Sequence, residues 1–391
     1  MIQNGFTYLA TLIFIAAIIV YLPKVLKGPA ATKFFNFIPP TVIIYLGLMI
    51  LGTTKLWSLE ATSATYSAVK NPLLYAMLFV MLLRCDLRKI FMLGPKMLIA
   101  FFSATLSIMI GFVVIYAIFS GSLGSEAWRA FGSLAGSWIG GTGNMVAVQE
   151  ALHVSENDMV FVLAMDSICT TPYIAFLLWA VTRDKVFNKW TGADTSTLDA
   201  VGAALAEADK ANTRPLIWQN VIMMVGTGFM ASAISQKAGV YLTELMPLFD
   251  KNTWTVLFVT LLGVLCALTP LGKMKGIEEV SNTMLYIIVA LIASRADLSD
   301  IGKAPIWLLC GFLILAIHVV LMLGIAKLLK LDIFTCSVAS LANIGAVATA
   351  PVLAGTYSGA LVPVGIVMAL LGYIVGTGGA LAVAQVMSLF A

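Results

Sequence analysis

The pattern L-Y-x8-R-x-D-L-x2-I occurs twice in this chain. It runs through Leu74, Tyr75, Arg84, Asp86, Leu87 and Ile90, and returns 211 residues later at Leu285, Tyr286, Arg295, Asp297, Leu298 and Ile301. A second block, Ser133-Leu134-Ala135 with Thr142 and Ala147, returns after 207 residues as Ser340-Leu341-Ala342 with Thr349 and Ala354. Two blocks repeated in the same order at nearly the same spacing indicate a duplicated unit of about half the chain. If each unit crosses a bilayer an odd number of times, the second copy is inserted upside down. Inverted copies of this kind are a common architecture of secondary transporters.

A bilayer is what the composition demands. Hydrophobic residues make up 60% of the 391 and charged residues 11%. A water-soluble chain could neither bury that much apolar surface nor face water with so little charge. Apolar stretches recur at lengths near the ~20 residues a helix needs to cross a membrane. In the first half they fall at 6–22, 37–54, 71–84, 97–119, 131–152 and 159–182. The second half gives 215–236, 252–271, 281–293, 305–329, 335–356 and 361–390. Between them, 183–214 holds ten charged residues and no spanning stretch. The expected organisation is a first repeat over 1–182, a cytoplasmic linker over 183–214 with some helix around Ala200–Ala208, and a second repeat over 215–391. The net charge of +4 is scattered over short loops and points to no nucleic-acid partner. Cys85, Cys169, Cys266, Cys310 and Cys336 lack paired spacing and read as packing residues. The opening Met1-Ile2-Gln3-Asn4 has no basic region, and Lys24 and Lys27 follow the first apolar stretch, so that stretch is expected to stay as a helix.

The fifth segment of each half is unlike the others. Gly, Ala, Ser and Thr dominate 132–144 and 340–355, with Pro351 in the later copy. Such sequences suit a broken helix or a re-entrant hairpin enclosed by protein. With both fifth segments re-entrant, 16 of the 23 Lys and Arg lie on one face and 7 on the other; with both crossing, the split is 11 against 12. Cytoplasmic loops are enriched in Lys and Arg, so the re-entrant arrangement is preferred. The expected fold is an all-α polytopic membrane protein of two inverted-topology repeats. Each has five transmembrane helices plus a hairpin or broken helix, and both termini lie outside the cytoplasm. The hairpins would dip in from opposite faces and meet near the midplane. The third segments, 71–84 and 281–293, are short and span only if polar flanks extend them.

The stretches G-S-W-I-G-G-T-G-N-M-V-A-V-Q-E-A-L (136–152), A-N-I-G-A-V-A-T-A-P-V-L-A-G (342–355) and G-I-V-M-A-L-L-G-Y-I-V-G-T (365–377) resemble the bacterial "domain of unknown function 819" membrane family. The resemblance covers almost the whole chain. Wider relatives look like sodium–proton antiporters and bile-acid, glutamate and hydroxycarboxylate sodium symporters. The last two carry a G-G-x-G turn in re-entrant hairpins, matched here by Gly140-Gly141-Thr142-Gly143. The resemblance implies an elevator-type secondary transporter, often a homodimer, driven by sodium or protons. The second copy departs from it: Val347-Ala348-Thr349-Ala350 keeps only Thr349, and Asp166 stands alone where the antiporters carry an aspartate pair.

At the first hairpin, Gly140, Gly141, Thr142, Gly143 and Asn144 read as an unwound tip. Glycines let backbone approach a ligand, while Thr and Asn supply oxygens; the competing reading is tight helix packing through small residues. Asp166 lies inside an apolar stretch, where a charge costs about 2.5–3.5 kcal/mol, and so is expected to face the protein interior. It reads as a cation ligand or proton carrier, with a structural hydrogen bond as the alternative. Asp166 and Asn144 are the candidate sodium ligands. Thr170 shares a face with Asp166, Thr171 follows, and Pro172 frees a carbonyl one turn back. In the second copy Asn343, Thr349 and Pro351 are the equivalents, with Thr377 matching Thr170 and Tyr373 in place of Asp166. Glu150 and His153 are expected in a water-facing loop, and His318 as a hydrogen-bonded structural residue. The Arg84/Asp86 and Arg295/Asp297 pairs read as helix caps and interfacial anchors.

These features favour a cation-coupled secondary transporter of a small-molecule substrate in the bacterial cytoplasmic (inner) membrane. An anionic metabolite is preferred on helix dipoles and on the resemblance. The alternatives are a neutral or zwitterionic amino acid or short peptide, or a sodium–proton antiporter with no organic substrate. No organic cofactor is implied beyond a sodium ion or proton as coupling ion. An enzyme is disfavoured, since G-x-S-x-G, H-E-x-x-H and G-x-G-D motifs are missing.

Overall fold

The computed structural model describes residues 1–391 apart from 30, 32–33, 36–37, 39, 196–197, 199–200, 203, 206–215, 297–303 and 359–360. The described chain is all-α. In order, its helices are α1 (Gly5–Val25), α2 (Pro40–Thr53), α3 (Ser63–Leu82), α4 (Leu87–Met92), α5 (Gly94–Leu123), α6 (Ala127–Gly140), α7 (Thr142–Ala151) and α8 (Asp158–Val181). After a short α9 (Asp184–Thr191) come α10 (Trp218–Leu245), α11 (Lys251–Ala267), α12 (Ile277–Ala293), α13 (Ala304–Leu329), α14 (Ile333–Ile344), α15 (Ala346–Tyr357) and α16 (Val362–Met387). Acidic or amide side chains open several of them. Asn4 accepts from Thr7 N at 2.9 Å, Asp86 from Arg88 N at 3.0 Å, Asp250 from Thr253 N at 2.9 Å and Asp332 from Thr335 N at 2.8 Å. Each satisfies a backbone donor that has no partner within its helix.

Five helices are long and apolar enough to cross a membrane by length and composition: Gly5–Val25, Gly94–Leu123, Asp158–Val181, Pro305–Leu329 and Val362–Phe390. This is an all-α polytopic membrane protein. The ten expected crossings exceed the five that meet that measure: α2, α11 and α12 have only 14, 17 and 17 residues, and α3 and α10, at 20 and 28, are less apolar. The third segments are longer than their apolar runs suggested. Helix α3 starts at Ser63 and has 20 residues, and α12 starts at Ile277 and has 17, each extended by polar residues at its N-terminal end. Around Ala200–Ala208, Val201, Gly202, Ala204 and Leu205 are helical; the remainder falls outside the described residues.

The helices sort into two packing groups, each drawing on both halves of the sequence. One group comprises α1–α3 and α10–α12. Every residue of α3 from Leu73 to Leu82 is buried, as befits a helix enclosed on all sides. Gly228 of α10 packs on Ala76 and Val80, and Gly263 of α11 on Phe79 and Leu82. The Tyr8 hydroxyl lies 2.5 Å from Ser294 Oγ, and Trp57 Nε1 donates to Ser294 O at 2.9 Å.

The second group comprises α5–α8 and α13–α16. Gly111 packs on Ile314, Gly311 on Cys169 and Gly132 on Ala384. Small residues at these crossings let backbones approach, the usual means of helix association in lipid. All twelve residues of α14 are buried. The first hairpin, α6 with α7, is buried almost throughout, and both turns are enclosed by protein as non-helical backbone at membrane depth must be, while α15 exposes Ala348, Val352, Gly355 and Thr356.

Candidate functional site

Helix α6 ends and α7 begins at a single residue. Gly141, at φ 85° and ψ 176°, donates to Ser137 O at 2.7 Å, while its carbonyl accepts from Asn144 N at 3.0 Å and Met145 N at 3.2 Å. That backbone region is essentially open to glycine alone. The chain then doubles back: Ser133 Oγ donates to Met145 O at 2.9 Å, and Arg129 Nη1 to Leu152 O at 3.1 Å. Residues far apart in sequence meet only if α6 and α7 run antiparallel.

The second hairpin turns at Gly345, which donates to Leu341 O at 2.9 Å, and at Ala346, whose φ is 49°. Phe334 and Tyr357, at the far ends of α14 and α15, bring their rings to 5.0 Å and close the hairpin. The two tips meet. A β-carbon on Gly141 would come within 2.9 Å of Ala346 Cβ and 3.6 Å of the Tyr373 ring. Gly372 completes the contact, so close that a side chain there would strike Ile139 O at 2.7 Å and Ala342 O at 3.1 Å.

Not every candidate residue is free for a ligand. Asn144 is buried and its amide is spent on α16: Nδ2 donates to Gly372 O and Tyr373 O, each at 3.2 Å, and Oδ1 accepts from Thr377 Oγ1 at 3.2 Å. Asn343 is likewise committed, accepting from Thr105 Oγ1 at 2.8 Å and donating to Ala339 O at 2.9 Å. Gly140 and Gly143 serve close packing, Gly140 against Gly372 and Gly143 against Met81 of α3.

Asp166 faces hairpin one, accepting from Ser137 Oγ at 2.9 Å and Trp138 Nε1 at 3.0 Å. Both bonds fall on Oδ1, and among the described residues none falls on Oδ2. Thr170 donates to Asp166 O and Thr171 to Ser167 O, so each hydroxyl proton is used within its own helix. At the second tip the Thr349 hydroxyl is buried with no partner among the described residues. Pro351 offers no N–H to the carbonyl of Val347, four residues back in α15. Thr142 lies half-buried at the head of α7. Among the described residues, Thr349 Oγ1, Val347 O, Asp166 Oδ2 and Thr142 Oγ1 thus have spare coordinating capacity.

Glu150 corrects the expectation of a water-facing loop. It is 6% exposed. Its Oε2 lies 2.6 Å from Lys70 Nζ, and its Oε1 accepts from Asn252 at 2.7 Å and Asn71 at 3.1 Å. The apolar run read as starting at residue 71 stopped one residue short of this cation. The cluster ties α7 to α3 and α11, across the boundary between the packing groups. Thr253 Oγ1 adds a bond to Ala151 O at 3.1 Å. Beside it His153 is exposed, as expected, and its Nε2 lies 2.8 Å from Asp250 Oδ2. Partial burial pushes the Asp250 carboxyl up, but hydrogen bonds from Thr253 and the His153 ring outweigh it and hold the group below its usual range. Neighbouring Gln149 is 2% exposed and its amide has no partner among the described residues.

His318 holds the structural place expected of it. Its Nδ1 lies 2.6 Å from Ser107 Oγ and its Nε2 2.7 Å from Ser340 Oγ, which also meets the Tyr173 hydroxyl at 2.6 Å. Ser107 and Tyr173 stand in apolar runs and gave no signal of their own. Arg84 pairs with Glu278 at 3.0 Å and Asp86 caps α4, while Arg295 donates to Leu59 O at 2.6 Å; Asp297 lies outside the described residues.

A comparison with curated proteins finds no match. A family model described as "Protein of unknown function (DUF819)" matches residues 10–390, nearly the whole length. The chain belongs to that family of membrane proteins.

Proposed function

We propose that this protein is an elevator-type secondary active transporter of a small anionic metabolite, coupled to sodium or protons, in the bacterial cytoplasmic membrane. The observation that carries the reading is the meeting of two broken-helix hairpins from opposite halves of the chain, Gly141 against Ala346. Unwound tips of this kind offer carbonyls to cations and helix N-termini to anions. Thr349 Oγ1, Val347 O, Asp166 Oδ2 and Thr142 Oγ1 are oxygens available there, and they suit a sodium ion or a proton in place of a resident metal.

Inverted repeats are supported by how equivalent helices touch. Helices α5 and α13, 211 residues apart in register, pack antiparallel through Ser107 on His318 and Gly111 on Ile314. Helices α3 and α12 do the same, with Arg84 on Glu278 at one end and Arg295 on Thr62 at the other. Two copies of one helix meet antiparallel when the axis relating them lies in the membrane plane. The division into two packing groups supports a moving hairpin-bearing body and a fixed frame, because the frame takes α1–α3 and their counterparts from both halves.

The test is uptake into proteoliposomes of a panel of labelled carboxylates and amino acids under imposed sodium or proton gradients. In Asp166→Asn the acceptor for Ser137 and Trp138 is kept and the charge is lost, so folding is retained and gradient-driven uptake is abolished. Unchanged uptake overturns the role of Asp166. Proton movement on adding sodium alone, indifferent to every solute, would instead select the antiporter.

A further inference from the structure

Between α8, α9, α13 and α14 lies a cavity of about 310 Å³ outside the hairpin site. Its wall is largely apolar, with Phe176, Trp179, Phe187, Met322 and Leu323 among the lining side chains. The space matches the liquid volume of about ten waters, yet an ordered water needs two to four polar partners. The wall supplies few. Tyr173 and Ser340 at its floor are already bonded to each other at 2.6 Å. Of its hydroxyl and charged side chains two remain. Ser337 is 1% exposed, lines the cavity and has a hydroxyl with no partner among the described residues. Arg183 also lines it, stacks on Trp179 at 5.4 Å and has no carboxylate partner among the described residues.

The mouth carries the mark of a membrane boundary. Helix α9 puts Val186, Phe187 and Trp190 against the cavity and carries Lys185 and Lys189 on its remaining face. This is the pattern of a helix lying in the interface. Its seat is fixed: Asn188 Oδ1 accepts from Ile333 N at 3.0 Å, and Lys327 Nζ sits 5.5 Å over the Trp190 ring. Ser337 is four residues along α14 from Ile333, about 6 Å deeper. A cation at the rim, a lone hydroxyl one turn below and apolar walls beyond match the order of phosphate, ester and chain in a phospholipid.

We propose that this cavity binds an anionic glycerophospholipid, with its phosphate on Arg183, an ester carbonyl accepting from the Ser337 hydroxyl, and one acyl chain along Phe176 and Leu323. The proposal is independent of the transport reading. Native mass spectrometry of the full chain, released from micelles containing phosphatidylglycerol or phosphatidylcholine with the same chains, tests it. The wild type retains phosphatidylglycerol about fivefold over phosphatidylcholine, whose choline cation offsets the phosphate charge, the scale of one basic residue near a net-anionic head group. Arg183→Gln brings the ratio to about one, and Ser337→Ala lowers retention of both lipids several-fold with the ratio intact. Leu323→Trp fills the cavity from the opposite wall and removes both. Equal retention in the wild type, or an unchanged ratio in Arg183→Gln, overturns the proposal. So does displacement of phosphatidylglycerol by palmitate as readily as by itself, since a bare carboxylate would then serve as well as the glycerophosphate and its ester.

Discussion

The Nδ1 of His318 lies 2.6 Å from the hydroxyl of Ser107, the residue 211 positions earlier, which is the spacing at which the L-Y…R-x-D-L pattern repeats. The contact joins α5 to α13, and Ser340 and Tyr173 extend it to α14 and α8. Ser107→Ala leaves one ring nitrogen unpaired in a buried site. It should lower stability by about 0.6–1.7 kcal/mol, the range for interhelical hydrogen bonds in membranes. Thermal unfolding in detergent measures this; an unchanged midpoint would mean that His318 finds another partner.

The Lys70–Glu150 pair is nearly dry, with side-chain exposures of 13% and 7%. Breaking a buried pair from one side strands a charge, at a cost of about 3–5 kcal/mol, whereas removing both partners costs less. Glu150→Gln and Lys70→Met should each destabilise strongly and the double variant less than their sum. Strict additivity in a double-mutant cycle would show that the pair is not coupled.

Gly141→Ala meets two obstacles: a backbone conformation closed to side chains and the approach of Ala346 Cβ at 2.9 Å. The strain is worth of order 1–3 kcal/mol. Adding Ala346→Gly should recover part of the loss by clearing the space and relieving the positive φ of that alanine. A double variant no more stable than Gly141→Ala would show that the tips do not press on each other.

Thr349→Val separates ligand binding from folding. The native hydroxyl is buried and unpartnered, and removing such a group relieves a burden of about 1–3 kcal/mol. The variant should therefore be at least as stable as the wild type while losing uptake. Full uptake would place the substrate or ion elsewhere.

The Asp250 carboxyl, held below its usual range, gives the fold a definite acid limit. A depressed value means that its contribution is fully present above the unfolded value of about 3.9 and is lost as the pH falls through the folded one. The melting temperature of the wild type should drop on acidification below about pH 4 more steeply than that of Asp250→Asn. Parallel curves would remove Asp250 from the account.

By itself the sequence determined that the chain is embedded in a membrane, the helical class, the duplicated spacing and the broken fifth segments. All of these depend on hydropathy and on glycine and proline, which act over a few neighbouring residues. It also placed the turn within Gly140–Asn144 and turned Asp166 toward the protein. Only the tertiary structure decided which polar groups were already spent. Asn144 reads as a ligand until Gly372, Tyr373 and Thr377 from more than 200 residues away take its amide. Glu150 reads as a loop carboxylate until Lys70 and Asn252 surround it. A side chain's hydrogen-bonding capacity is local, but what consumes it in a membrane protein is whichever distant helix packs against it.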